Sequence, residues 1–408
     1  MKKVRVGALA AAALFAFAAC SGGSGGGVSG EIEIWSSLPR QGSSKAQTDT
    51  IVNAINLALE ERGGKVGNLT VKYVDKDDST AAAGKWDEAT EIKNANDAVA
   101  NDRLVAYIGT FNSGAAKLSI PILCPKSLAM VSPANTYPGL TVSEGAEEGE
   151  PAKYYPSGCA RNYARVVAND NLQGNAGALW ASQLGAKKVY VLDDTELYGK
   201  GIADVFRAKG PEFGLEIVGN DSIDGKATDY KALAEKVKGT TPDLVYYGGI
   251  TQNNAGQLWR DLRDAMPDVM LMGPDGILEQ EWIDAAGEAA EGSFITFGGL
   301  PASELTGKGA EFITKYNEKY PNNPPEAYTA YGYEAANVVL DAIDRALKRN
   351  PTDMNQLRGF VREEVFATKD YQGALGTWSF DENGDTSLTE MTANIVEAGA
   401  FKFDKIIK

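Results

Sequence analysis

The sequence predicts an α/β fold of two parallel-sheet lobes with a cleft between them. Two observations carry that expectation. Short β-branched and aromatic runs alternate with amphipathic helical stretches along the chain, the pattern of parallel strands covered on both faces. The pattern also occurs twice, from Ile32 to about Asn135 and again from Val189 to about Phe297. An irregular stretch rich in Gly, Pro and Glu separates the two, from Tyr137 to Asn162.

In the first series Ile32 to Trp35 reads as a strand. Ile51, Ile55, Ala58 and Leu59 share one helical face, and Gly63-Gly64 stops that helix. Leu69, Val71 and Tyr73 alternate with Thr70 and Lys72, as in a strand with one buried face. Leu104 to Ile108 and Leu128 to Val131 complete the series. In the second, the strand candidates are Val189 to Leu192, Leu215 to Val218, Leu244 to Tyr247, Val269 to Met272 and Phe294 to Phe297. Helical patterns follow over Gly309 to Lys319, Tyr328 to Lys348 and Met354 to Val365. The tail from Tyr371 reads as turns and short strands, a late return of the chain.

The chain starts differently. Lys2, Lys3 and Arg5 precede an apolar run from Val6 to Ala19, then Cys20, then a Ser/Gly tract. The run falls short of the roughly 20 residues that span a bilayer and has the make-up of a signal peptide, residues 1–19. Cys20 after Ala18-Ala19 resembles the lipobox of bacterial lipoproteins, with Phe17 where Leu is usual. The expectation is an exported protein held at the outer face of a membrane by acylated Cys20, with residues 20–30 as a flexible tether.

Charge and composition exclude several classes. The formal net charge is −15, and losing the three positive charges of Lys2, Lys3 and Arg5 leaves −18. Nucleic-acid binding needs a basic footprint that is missing here. The chain has no histidine, so the commonest general base and metal ligand are absent. No metal or cofactor is expected, and no enzymatic activity. Asp75, Asp77 and Asp78 read as a solvated loop. Asp381 to Asp385 fails the calcium-loop spacing, since position six is Thr386 and position twelve Thr392. Gly22 to Gly26 spells a nucleophile elbow inside low-complexity linker, with no strand before it. Cys124 and Cys159 are the body's two cysteines, a disulfide pair if they meet, which spacing alone does not show.

In open α/β sheets ligands sit beyond the carboxyl ends of strands. In the first series those positions hold Asn112, Ser113, Ala134 and Thr136: hydroxyls and backbone amides suited to a carboxylate. In the second they hold Tyr198, Gly249 and Asp275, where an acid suits an ammonium. Two such faces clamp a zwitterion.

Ala134, Thr136, Tyr198, Gly249 and Asp275 lie in stretches that resemble the periplasmic leucine/isoleucine/valine-binding proteins of branched-chain amino-acid ABC transporters. The stretches are Asp77-Asp78, Ser132-Pro-Ala-Asn-Thr136, Leu197-Tyr-Gly-Lys-Gly201, Tyr246-Tyr-Gly-Gly249, Met272-Gly-Pro-Asp-Gly276 and Glu291-Gly292. The resemblance implies a bilobal type I periplasmic-binding-protein fold: two Rossmann-like lobes joined by a three-strand hinge. It divides the chain into 31–165 plus 298–372 for one lobe and 166–297 plus 373–408 for the other. It implies that Ser113, Ala134 and Thr136 hold a ligand carboxylate, that Asp275 holds the ammonium and that Tyr198 closes from the second lobe. The implied partners are an amino acid and an ABC permease, with the protein a monomer. This chain departs from the pattern at Asp275, where Glu is common, at Ile250, where Tyr is common, and at Leu38 to Gly42, where Arg40 adds a charge. It also lacks the family's usual cysteines near Asp77 and Asn112. The same fold also hosts amides, urea and aromatic acids as ligands, and sensor domains.

Overall fold

The computed structural model describes residues 27–156 and 158–408, together with Met1. The expected signal peptide and Cys20 lie outside the described residues. Two sheets organise the chain. The first has six strands in the order Lys65–Val66, Leu69–Asp77, Glu31–Leu38, Leu104–Gly109, Ala129–Ser132, Tyr163–Arg165. All its pairings are parallel except the hairpin at Lys65–Val66. Central strands such as Leu104–Gly109 are buried along their whole length, as expected for a sheet covered on both faces.

The second sheet has seven strands in the order Glu216–Ser222, Lys188–Asp193, Leu244–Gly248, Met270–Gly273, Phe294–Gly298, Met391–Glu397, Ala400–Ile406. Its first five pair in parallel; the last two join antiparallel. The tail from Tyr371 holds the expected short strands, Tyr371–Gly373 and Gly376–Trp378, and then two seven-residue strands beyond that expectation. Their direction follows from the link. Ala398 and Gly399 both have positive φ (53° and 72°), the two-residue turn that joins antiparallel neighbours.

Helices pack as the sequence pattern requires. Ile51, Ile55, Ala58 and Leu59 are buried on helix Lys45–Glu61, which lies against helix Thr329–Leu347. Gly332 makes that approach close: a Cβ there would stand 2.8 Å from Ile51 Cγ2. The stretch 137–162 carries only single-turn helices, and Cys124 and Cys159 are joined, their Cα atoms 5.9 Å apart. Among the described residues no helix is long and apolar enough to cross a membrane.

The chain passes between the sheets three times. After Tyr163–Arg165 it enters helix Asp170–Gln183, which packs on the second sheet. After Phe294–Gly298 it leaves for helix Lys308–Lys319. The last passage comes later than the expected 372/373 boundary. Tyr371–Gly373 and Gly376–Trp378 form a hairpin fastened to helix Thr329–Leu347 through Glu334. That buried carboxylate accepts from the Ala374 N–H (2.8 Å), the Leu375 N–H (3.4 Å) and Trp378 Nε1 (2.5 Å). Residues through Trp378 therefore pack with the first sheet.

Candidate functional site

The carboxyl ends of the two sheets meet, and the first contributes backbone. Ser132 Oγ accepts from the N–H groups of Ala134 (3.1 Å) and Asn135 (2.9 Å) and donates to Thr110 O (2.9 Å). Asn135 Nδ2 donates to Phe111 O at 2.8 Å, tying two post-strand loops together. Ser113 opens helix Ser113–Leu123, where Asn112 caps with no side-chain bond; the N–H groups of Ala115 and Ala116 donate to Asn112 O, and those of Ser113 and Gly114 have no backbone partner among the described residues. Beneath the loop lies Arg165, fully buried. It donates to Tyr137 O (2.7 Å), Asn135 O (3.2 Å) and the Thr141 hydroxyl, and pairs with Asp385 at 2.6 Å.

The second sheet contributes charge. Asp275 follows strand Met270–Gly273 and is 5% exposed. Its Oδ1 accepts from Tyr198 OH (2.7 Å) and Gln173 Nε2 (2.8 Å). Its Oδ2 accepts from Tyr328 OH at 2.5 Å, and Tyr328 comes from the first lobe. Tyr198 OH in turn accepts from the Gly276 N–H at 2.9 Å. Gly276 has no room for a side chain: a Cβ would meet Gly249 O at 2.4 Å and Tyr198 Cε1 at 2.6 Å.

Beside Asp275 stands a second carboxylate. Asp170, 0% exposed, begins helix Asp170–Gln183, and its N–H donates to Thr136 O at 2.9 Å. Neither of its carboxylate oxygens has a hydrogen-bond partner, nor have Thr136 Oγ1 and Gln173 Oε1. Burial and then the charge of Asp275 push the Asp170 carboxyl well above the usual range, against the pull of Thr136 and Arg165. Asp275 is also raised by burial, with the bonds from Tyr328, Tyr198 and Gln173 opposing. No lysine or arginine hydrogen-bonds to either carboxylate among the described residues.

A cavity of about 30 Å³ lies between the faces. It brings together Asn112, Ser113, Ala134, Tyr198 and Asp275 of the expected residues and adds Phe111, Ile250, Gly276 and Tyr328. The other three lie elsewhere. Thr136 is buried, its backbone against Asp170. Gly249 packs against Tyr247 and Gly276, where it permits close backbone approach. Arg40 is spent on Asp49 (2.6 Å), Asp75 (2.9 Å) and Thr48 (3.0 Å). At the rim the lobes also touch directly. Lys85 Nζ reaches Glu196 Oε1 (2.5 Å) and Asn253 Oδ1 (2.8 Å), and Ser44 Oγ donates to Glu279 Oε1 (2.5 Å).

Asp170, Gln173 and Tyr328 escape sequence reasoning for identifiable reasons. Asp170 and Gln173 follow strand Tyr163–Arg165, too short at three residues to show alternation, so no post-strand position was sought there. Tyr328 precedes a helix; an aromatic at a helix start is the one signal that points to it.

The geometry describes a receptor. One wall offers amide and hydroxyl groups; the other offers the Asp275 carboxylate, with Asp170 buried near it but outside the cavity lining. A ligand bearing an ammonium next to a carboxylate supplies what both walls lack. Among the described residues no cluster of three or more acidic or cysteine side chains is placed to hold a metal.

Comparison with known proteins agrees in scale and architecture. Residues 31–400 match the family model described as periplasmic binding protein. Leu/Ile/Val-binding protein homolog 2 of Brucella abortus (strain 2308) is 28% identical over 370 residues, covering 90% of each chain. Among solved structures, a leucine-binding protein LivK from Thermotoga maritima is 27% identical with a TM-score of 0.78, covering 92% of this chain and 99% of its own. The branched-chain amino acid transporter substrate-binding protein LivJ from Streptococcus pneumoniae, in complex with isoleucine, is 24% identical. It has a TM-score of 0.77 and covers 93% of this chain and 99% of its own, a likeness of fold.

Proposed function

Because the chain belongs to the periplasmic binding protein family, we propose that it captures an amino acid, of branched-chain type, between its lobes and delivers it to an ABC permease. The observation that carries this reading is the buried pair Asp170 and Asp275, unneutralised by any hydrogen-bonded cation. An ammonium between them relieves their mutual repulsion and fills empty acceptor positions. The ligand carboxylate then turns to the Ser113 helix start and to the Ala134 N–H, which donates to Ser132 Oγ and exchanges that partner on binding. Phe111, Ile250 and Tyr328 offer apolar surface to an aliphatic side chain. An aromatic acid, urea or an amide brings no cation, so the acid pair disfavours those ligands.

Binding in this scheme closes a hinge made of the three passages between the sheets. One lobe is 31–165 plus the segment from 298 through Trp378; the other is 166–297 plus the remaining tail. Neither lobe alone satisfies a zwitterion, so closure and capture are one equilibrium. The protein acts as a monomer, exported and anchored through Cys20.

The test is native mass measurement of the co-purified ligand, followed by calorimetric titration with a panel of amino acids. Binding of leucine, isoleucine or valine supports the reading. Binding only of ligands without an amino group overturns it.

A further inference from the structure

We propose a second small-molecule site at the back of the hinge, built to take a small hydrophobic amine: one ring or short alkyl group carrying an ammonium. A cavity of about 170 Å³ lies there; it shares no lining residue with the cleft cavity, although its Phe297 packs edge-on against Tyr328 of the cleft, ring centroids 5.4 Å apart. That is below the roughly 300–1,000 Å³ of pockets for drug-sized ligands and suits a single ring. Leu278, Phe297, Phe401 and Phe403 form apolar walls, and Glu326 and Asn394 are its polar side chains of note. The walls come from separate parts of the chain. Phe401 and Phe403 lie on the edge strand Ala400–Ile406, and Leu278 and Phe297 lie in or beside the second sheet. Glu326 lies just before helix Thr329–Leu347. Phe401 is fixed by stacking on Trp282, ring centroids 6.0 Å apart.

Charge selects the occupant. Only the Glu326 backbone is engaged, its N–H donating to Thr329 Oγ1 at 2.8 Å. Its carboxylate accepts no hydrogen bond and joins no ion pair among the described residues, and no lysine or arginine lines the cavity. Burial, then the charges of Glu281 and Glu279, push Glu326 up to about 7. Among the described residues Glu326 is thus the one acid that lines this aromatic-walled space, and the charges of Glu281 and Glu279 reach it from outside the lining. An ammonium meets the carboxylate by a charge-assisted bond, and the ring faces add cation–π attraction. The apolar body of the ligand fills the space between Leu278 and the phenylalanines.

The principal cleft also holds carboxylates, so the experiment must separate the two places. Calorimetric titration with 2-phenylethylamine at pH 8 is run on the wild type, Asp275→Asn, Glu326→Gln and Phe403→Ala. The expected result is binding to the wild type, within twofold in Asp275→Asn, at least tenfold weaker in Glu326→Gln and at least fivefold weaker in Phe403→Ala. The neutral isostere 2-phenylethanol binds the wild type at least tenfold more weakly, a comparison that needs no variant to fold. Unchanged binding in Glu326→Gln overturns the proposal. So does loss in Asp275→Asn, which places the amine in the cleft, or equal binding of the alcohol, or no binding to the wild type. Amino-acid titrations on the same variants report on the cleft alone, so the failure of one site does not mask the other.

Discussion

On the first lobe the cleft wall is backbone. Ser113, Ala134 and their neighbours present N–H groups, held by Ser132, Asn135 and the buried Arg165. On the second lobe the wall is side chain: Asp275 and Tyr198, held by bonds between residues distant in sequence, with the unbonded Asp170 carboxylate buried near them. The donor wall costs little, because amides at a helix start and a loop are neutral and already shaped. The acceptor wall keeps two carboxylates out of water, and raised pKa values are the sign of that cost. Rigidity is thus local on one side and global on the other. The difference teaches where each wall is vulnerable: the donor wall through its support, the acceptor wall through its charge.

The largest effect should come from attacking the donor wall from beneath. Arg165→Met leaves Asp385 without its cation and removes a donor from the carbonyls of Asn135 and Tyr137, and should cost about 3–5 kcal/mol of stability, read by denaturant unfolding. A loss under about 1 kcal/mol would mean that the loop holds itself. Next, Asp275→Asn keeps the shape of the acceptor wall but halves its charge. Amino-acid affinity should fall by about 2–4 kcal/mol in calorimetry, and an unchanged value would erase the contrast between the walls.

Acid sharpens the contrast by titration. Asp194, Glu279 and Glu326 are raised to about 7, and Asp170 and Asp275 are raised as well. Between the unfolded and folded pKa values of such groups the folded state binds more protons. The ligand-free protein should therefore gain stability as pH falls from 8 through 7 toward 5, seen in the melting temperature. Below about 4 the lowered carboxylates, Glu33 and Asp77 among them, reverse the trend. Amino-acid binding should move the other way, weakening as pH falls and releasing protons, because the ammonium needs ionised partners. Calorimetry in buffers of different ionisation enthalpy measures that release. The smallest effect belongs to the contact that crosses between lobes. Tyr328→Phe removes one donor to Asp275 and should change affinity by about 1 kcal/mol.

Much of this was legible in the sequence. Periodicity marked nine strands because buried parallel strands are apolar throughout and long enough to show it, as Leu104–Gly109 is. It missed Tyr163–Arg165, whose three residues carry no period. Motif positions led to Asn112, Ser113, Ala134, Tyr198 and Asp275, which line one cavity. Arg40 illustrates the limit. Its departure from the family pattern in the first loop marks it, but it pairs with Asp49 and Asp75, and no local pattern announces them. Asp170 and Tyr328 depend on packing between segments far apart in the chain, which a one-dimensional pattern does not encode.

Lys85 adds a matter of timing. Its bonds to Glu196 and Asn253 span the rim, on the way out rather than at the bottom. A molecule approaching an open cleft does not meet this clasp; one leaving must wait for it to break. Salt therefore acts on departure more than on arrival. A rim pair is worth up to about 1 kcal/mol, so its screening shortens the dwell of the cargo by at most about fivefold. The surrounding medium would then help to decide how long a closed cleft stays closed.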